Sequence, residues 1–149
     1  MAHTTQSRFR VRYSETDQMG MVYYANYLIW MEVGRSDFCR DRGFSYRELE
    51  QEEHAFLTVA EATCRYIAPA RYDEQIIVET EITRLSRRLV EFSYKLNRDS
   101  TLLAEGRTVH IVIGRDGKPR SMPDRYFEML KVSTRIKGNE AQDPYEQNR

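Results

Sequence analysis

Little in this 149-residue chain points to a disulfide, a metal or a membrane. Its two cysteines, Cys39 in a helical pattern and Cys64 in a strand pattern, fit no metal spacing and make a poor disulfide framework. Both are therefore expected reduced and partly buried. The three histidines, His3, His54 and His110, stand apart without ligand spacing, and His54 beside Glu52 and Glu53 has the setting of a solvated loop. No metal site and no cofactor are expected. Net charge is also missing: 23 basic side chains face 23 acidic ones, so no global field draws the chain to nucleic acid or an anionic membrane. No stretch approaches the roughly 18 apolar residues of a membrane span. The opening Met1-Ala2-His3-Thr4-Thr5-Gln6 lacks the apolar core of a signal peptide, so a cytoplasmic protein is expected. Ser14, Ser36 and Ser45 sit in no nucleophile elbow, and there is no internal repeat or low-complexity tract.

What is present suits one α+β domain, able to bury roughly two thirds of its unfolded surface. We place it at residues 1–133, with a polar, frayed tail over 134–149. Phe9, Val11 and Tyr13 alternate with Arg8, Arg10 and Arg12, the period of a half-buried strand that runs to the acidic segment Ser14-Glu15-Thr16-Asp17. From Tyr24, the residues Tyr27, Trp30, Met31, Gly34 and Phe38 recur at helical spacing, and Gly43 supplies a stop. Leu28, Ile29 and Val33 lie off that stripe, so the helix is apolar around most of its circumference and is expected to be enclosed. Trp30, Met31 and Phe38 are assigned to the core. Ser45 to His54 reads as a polar connection.

Four strand patterns follow, over Phe56 to Ile67, Ile76 to Ile82, Val90 to Leu96 and Leu102 to Ile113. A short last helix starts near Pro123 with Asp124 as its cap. One helix cannot cover a flat sheet of five strands, so the antiparallel sheet must curl around it. Such a sheet keeps an open edge, and pairing edges across a two-fold axis protects it, so a homodimer is expected.

Asp17 stands a few residues ahead of the helix start. A helix N-terminus presents unpaired N–H groups and a partial positive charge, so it can hold an oxyanion while the carboxylate acts beside it. That is half an active site.

Tyr13-Ser14-Glu15-Thr16-Asp17-Gln18-Met19-Gly20-Met21-Val22-Tyr23-Tyr24-Ala25-Asn26-Tyr27 closely resembles the signature of hot-dog-fold acyl-CoA thioesterases of the 4-hydroxybenzoyl-CoA thioesterase type, including those associated with the Tol-Pal cluster. Glu32, Arg35, the run Tyr66 to Glu74 and Ala104-Glu105-Gly106 extend the resemblance over most of the chain. The resemblance implies a hot-dog fold, a homodimer or a dimer of dimers (homotetramer), and sites between a helix N-terminus and the neighbouring subunit. It implies that Asp17 is the essential carboxylate and that the backbone N–H at or near Tyr24 polarises the thioester carbonyl. Close relatives in the Tol-Pal branch carry histidine where this chain has Tyr24. Tyrosine is no base at neutral pH, so the backbone role of Tyr24 is the one carried over, and its side chain is read as core or pocket wall.

A single oxyanion donor contributes about 3 to 4 kcal/mol and the macrodipole about 0.3 to 1 kcal/mol, so the aimed N–H is the larger effect. Asp17 is read as nucleophile or general base, with both routes open. Coenzyme A carries phosphates, for which Arg87 and Arg88 are first candidates and Lys118 and Arg120 second. Thr58 and Thr63 are candidates for the acyl pocket of a neighbouring subunit. The expected activity is hydrolysis of a small acyl- or aroyl-CoA to free acid and coenzyme A. The alternatives are a thioesterase acting on a carrier-protein-bound acyl chain and a non-catalytic acyl-CoA binding module.

Overall fold

The computed structural model describes residues 3–131, so the domain end at 133 and the tail over 134–149 lie outside the described residues. Strand β1 (Thr5–Arg10) turns its odd-numbered residues inward, as its alternation predicts. It does not reach the acidic segment. The strand ends at Arg10 and a single 3₁₀ turn forms over Tyr13–Glu15, because the N–H of Arg12 donates to the Glu15 carboxylate at 2.7 Å instead of to a neighbouring strand.

Helix α1 (Asn26–Asp41) begins two residues later than expected, with Ala25 at its N-cap. Before it, Asn26 N–H donates to the Tyr23 carbonyl at 2.9 Å and Tyr27 N–H to that of Tyr24 at 3.2 Å, so the chain turns tightly before the first α-helical bond. The expected connection from Ser45 to His54 is in fact helix α2 (Tyr46–Glu53), and His54 closes it in a left-handed conformation. Its start is a side-chain cap, Ser45 Oγ accepting from Glu48 N–H at 3.1 Å. The Ser45-x-x-Glu48 spacing carried that signal.

Strands β2 (Phe56–Tyr66), β3 (Gln75–Leu85), β4 (Leu89–Arg98) and β5 (Thr101–Ile113) complete one antiparallel sheet in the order β1-β3-β4-β5-β2. Helix α3 (Asp124–Lys131) follows; Asp124 is its first residue, not its cap, and the Asp124 carboxylate pairs with Arg87. Register shifts at Val59/Glu61 in β2 and Ile82/Arg84 in β3 add local twist, and the curled sheet holds α1 in its concave face. No helix among the described residues is long and apolar enough to cross a membrane.

Trp30, Met31 and Phe38 are buried against Ile76, Val78, Phe92 and Tyr94 of the sheet, as expected. Two glycines permit the close approach. A Cβ on Gly34 would lie 2.4 Å from Thr80 Oγ1, and one on Gly106 would lie 2.5 Å from the Thr63 carbonyl oxygen. At the far end of α1 the contact is polar: Ser7 Oγ donates to Asp37 and Thr5 Oγ1 to Asp41, at 2.7 and 2.8 Å. The helix is not enclosed on all sides. Leu28 and Ile29 stand 39% and 51% exposed, because the sheet of one chain covers only the stripe that faces it. Both cysteines are free, and burial pushes the Cys39 thiol up to about 12, leaving it unreactive.

His110, far from a solvated histidine, lies wholly inside. Its Nε2 meets Thr108 Oγ1 at 2.8 Å, and Thr108 Oγ1 in turn meets the Tyr94 hydroxyl at 2.6 Å. Burial, aided by the nearby Arg35 guanidinium, lowers its pKa from 6.5 to about 4. The unfolded chain therefore binds the proton more readily between those values. Stability from this group is complete above pH 6.5 and declines as pH falls toward 4.

Two outcomes follow from the packing. Gly106→Ala meets backbone, which cannot step aside, and should lower unfolding free energy by about 1 to 3 kcal/mol in urea titration. Between pH 7 and 4 the wild type should lose of the order of 3 kcal/mol through His110, a slope that His110→Gln should remove in the same titrations.

Candidate active site

The segment between β1 and α1 is tied down by one buried carboxylate. Glu15 is 4% exposed, and its Oε2 accepts from Trp30 Nε1 at 2.7 Å while Oε1 accepts from Arg12 N–H at 2.7 Å. The main-chain oxygen of Glu15 also accepts twice, from Tyr23 N–H and from the Asn26 side chain, both at 2.9 Å. Residues 16–22 are thus pinned at both ends. Within them Asp17 folds a reverse turn: its carbonyl accepts from Gly20 N–H at 3.0 Å, and its own N–H donates to the Met21 carbonyl at 2.8 Å. Gly20 sits at φ +77, a conformation that side chains rarely adopt.

That turn aims the Asp17 side chain. Oδ1 accepts from the N–H groups of Met19 at 2.9 Å and Met21 at 3.3 Å. Oδ2 accepts nothing from the described residues. Asp17 lines a cavity of about 310 Å³ whose other walls include Met21, Tyr24, Tyr27, Tyr66 and Ile67. It is the one ionisable carboxylate in an otherwise apolar and aromatic lining.

The same cavity reaches the start of α1. Tyr23 N–H is taken by Glu15 and Asn26 N–H by Tyr23, but the N–H groups of Tyr24 and Ala25 donate to none of the described residues. Sequence reasoning put the oxyanion donor at or near Tyr24. In the structure Asp17 and Tyr24 line the same pocket. The Tyr24 side chain is 60% exposed and stacks edge-on with Tyr66, so it is wall and not core. The hydroxyl of Tyr66 donates to the Tyr24 carbonyl at 3.1 Å. Tyr66 and Glu15 are the residues that sequence reasoning passed over. The Arg12-x-x-Glu15 spacing is the signal that marks Glu15, whereas nothing in the sequence paired Tyr66 with Tyr24.

The other candidates do not converge on this pocket within one chain. Arg87 and Arg88 precede β4 at the opposite end of the sheet. Arg87 pairs with Asp124 and lies over the Phe127 ring, and the Arg88 carbonyl accepts from Val112 N–H at 3.1 Å. Lys118 and Arg120 belong to the turn after β5 and line a separate hollow with His54 and Arg115. Thr58 and Thr63 are exposed on β2, the sheet's edge strand. Thr63 borders a larger groove of about 480 Å³ on the outer face of the sheet. That groove is lined by Arg65, Glu81, Lys95, Glu105 and Arg107 and holds neither Asp17 nor the helix start, so its size does not make it the reactive site. Among the described residues no group of three metal-ligating side chains comes together.

Comparison with known proteins identifies the family of the chain. Residues 19–110 match the Thioesterase superfamily. The chain is 35% identical over 125 residues to the acyl-CoA thioester hydrolase YbgC of Escherichia coli, covering 81% of this chain and 92% of that protein. Among solved structures, a hypothetical protein from Thermus thermophilus aligns at a TM-score of 0.83 and 34% identity, over 88% of this chain and 98% of that one. DHNA-CoA thioesterase from Staphylococcus aureus aligns at a TM-score of 0.79 and 31% identity, over 87% of each chain. A five-stranded antiparallel sheet around a long helix is the hot-dog fold of these neighbours.

Glu15 gives the pocket its measurable dependence. Glu15→Ala would leave the buried Trp30 indole N–H and the Arg12 N–H without acceptors, each costing about 1 to 3 kcal/mol. Chemical denaturation should register a loss of at least about 2 kcal/mol, larger than for alanine at the exposed Glu32.

Proposed function

The chain belongs to the thioesterase superfamily and is a thioester hydrolase, and we propose that it hydrolyses a small acyl- or aroyl-CoA through Asp17 and the N-terminal backbone of α1. The observation that supports this reading is the shared pocket, lined by Asp17, which has one free carboxylate oxygen, and by Tyr24, whose N–H, like that of the next residue Ala25, donates to none of the described residues. A cavity of about 310 Å³ lies at the small end of ligand sites, which suits a short or single-ring acyl group. Its tyrosine-rich walls suit an aromatic one.

In this mechanism the thioester carbonyl oxygen points at the Tyr24 end of α1, where negative charge develops as the carbon becomes tetrahedral. Asp17 Oδ2 either attacks that carbon, expelling the coenzyme A thiolate and leaving a mixed anhydride that water cleaves, or takes a proton from the attacking water. Met19 and Met21 hold Oδ1 in both cases, so the free oxygen keeps one direction.

The homodimer belongs to the same reading. Edge strand β2 runs from the Arg120 end of the sheet to the Tyr66 end, and a two-fold pairing of β2 with its copy is antiparallel. Such a pairing would carry the partner's basic end, with Arg88, Lys118 and Arg120, toward the Asp17 pocket. Coenzyme A phosphates and the reacting thioester would then be held by different subunits.

On a panel of acyl- and aroyl-CoA thioesters, wild type should hydrolyse at least one, and Asp17→Asn should lose at least about a hundredfold in kcat on it. Inertness of wild type on every thioester, or full rate in the variant, would overturn the assignment.

A further inference from the structure

Among the described residues, the hydroxyl of Tyr66 is the one polar side-chain group that bonds the backbone bearing the unused N–H groups. It donates to the Tyr24 carbonyl at 3.1 Å, and that carbonyl also accepts from Tyr27 N–H at 3.2 Å. The Tyr24 carbonyl and the Ala25 N–H are two ends of a single peptide unit. Drawing electron density toward the carbonyl oxygen leaves the N–H end more positive, so each bond accepted at Tyr24 makes Ala25 a better donor. Tyr66 enters from β2 on the far edge of the sheet, so its contact also ties the turn ahead of α1 to a second, rigid element.

The ring of Tyr66 is fixed for this. It lies edge-on to Tyr24 and to Tyr27, with centroids 6.2 and 5.1 Å away. Partial burial and the neighbouring Cys64 thiol raise the phenol's pKa to about 12, so it remains a donor across the working pH range.

We propose that Tyr66 is a positioning residue for the oxyanion site, and that the Ala25 N–H, polarised through the Tyr24 carbonyl, acts with the Tyr24 N–H as a second donor. Tyr66 touches no reacting atom in this role. The proposal rests on the assignment of Asp17 and the helix start given above, and it adds the group that tunes them.

The test is Tyr66→Phe, which keeps the aromatic wall and removes one oxygen. If a donor bond worth a hundred- to a thousandfold is strengthened by a tenth to three tenths, kcat should fall about 1.6- to eightfold. KM for benzoyl-CoA or butyryl-CoA, whichever wild type turns over faster, should stay within twofold. In the protein without substrate, the Ala25 amide proton should move upfield in the nitrogen-proton correlation spectrum, a readout that a pocket-wall role would leave still. Unchanged kcat, a rise in KM alone, or an unmoved Ala25 amide would each overturn the proposal. Asp17→Asn, assayed alongside, separates the two levels: full rate there removes the catalytic assignment itself, whereas an impaired Asp17→Asn with an unaffected Tyr66→Phe removes only the role of Tyr66.

Discussion

A buried carboxylate in the first loop decides where the site can be. Glu15 is taken out of water and met on every side, by the Arg12 N–H, the Trp30 indole, and, through its carbonyl, by Tyr23 and Asn26. An unpartnered carboxylate at that depth would cost several kcal/mol, so the loop has one arrangement in which the charge is tolerated. That arrangement fixes the distance between the Asp17 turn and the start of α1. The geometry of the pocket is therefore a by-product of satisfying a buried group that does not line it.

The rest of the fold supports that loop in layers. The core face of α1 rests on the sheet at two glycine contacts, Gly34 against Thr80 of β3 and Met31 against Gly106 of β5, which sets the depth of the helix. Polar pairs from Thr5 and Ser7 anchor its C-terminal half, leaving the N-terminal end as the part that meets the pocket. Ala70, between β2 and β3, accepts from Val22 N–H and donates to the Tyr27 hydroxyl, so the pocket floor is stitched to both the loop and the helix.

Much of this was legible in the chain because it follows from period and sign. The four strand patterns after His54, the core assignment of Trp30, Met31 and Phe38, and the place of Asp17 before a helix all rest on local alternation or spacing. Where the reading slipped, a side-chain hydrogen bond had displaced the default. Ser45 capped a helix out of a polar run, and Glu15 ended a strand early by taking the Arg12 N–H. The late start of α1 comes from a backbone bond, since Tyr23 N–H is committed to the Glu15 carbonyl. The contact of Tyr66 with Tyr24 joins residues far apart in sequence, and no local pattern encodes it. The partners of Arg87 are of the same kind.

The strand order carries a kinetic meaning as well as a static one. β3, β4 and β5 are neighbours in sequence and in the sheet, whereas β2 precedes all three and pairs only with β5, Phe56 facing Ile113 and Tyr66 facing Ala104. Closing that span costs more chain entropy than forming the meander, so the docking of β2 is rewarded later than the pairing of β3, β4 and β5. Tyr66 arrives with it. A chain that has folded its meander and its helix but not yet seated β2 holds Asp17 and the helix start without a finished cavity, so the cavity is walled by a long-range pairing and not by the local meander.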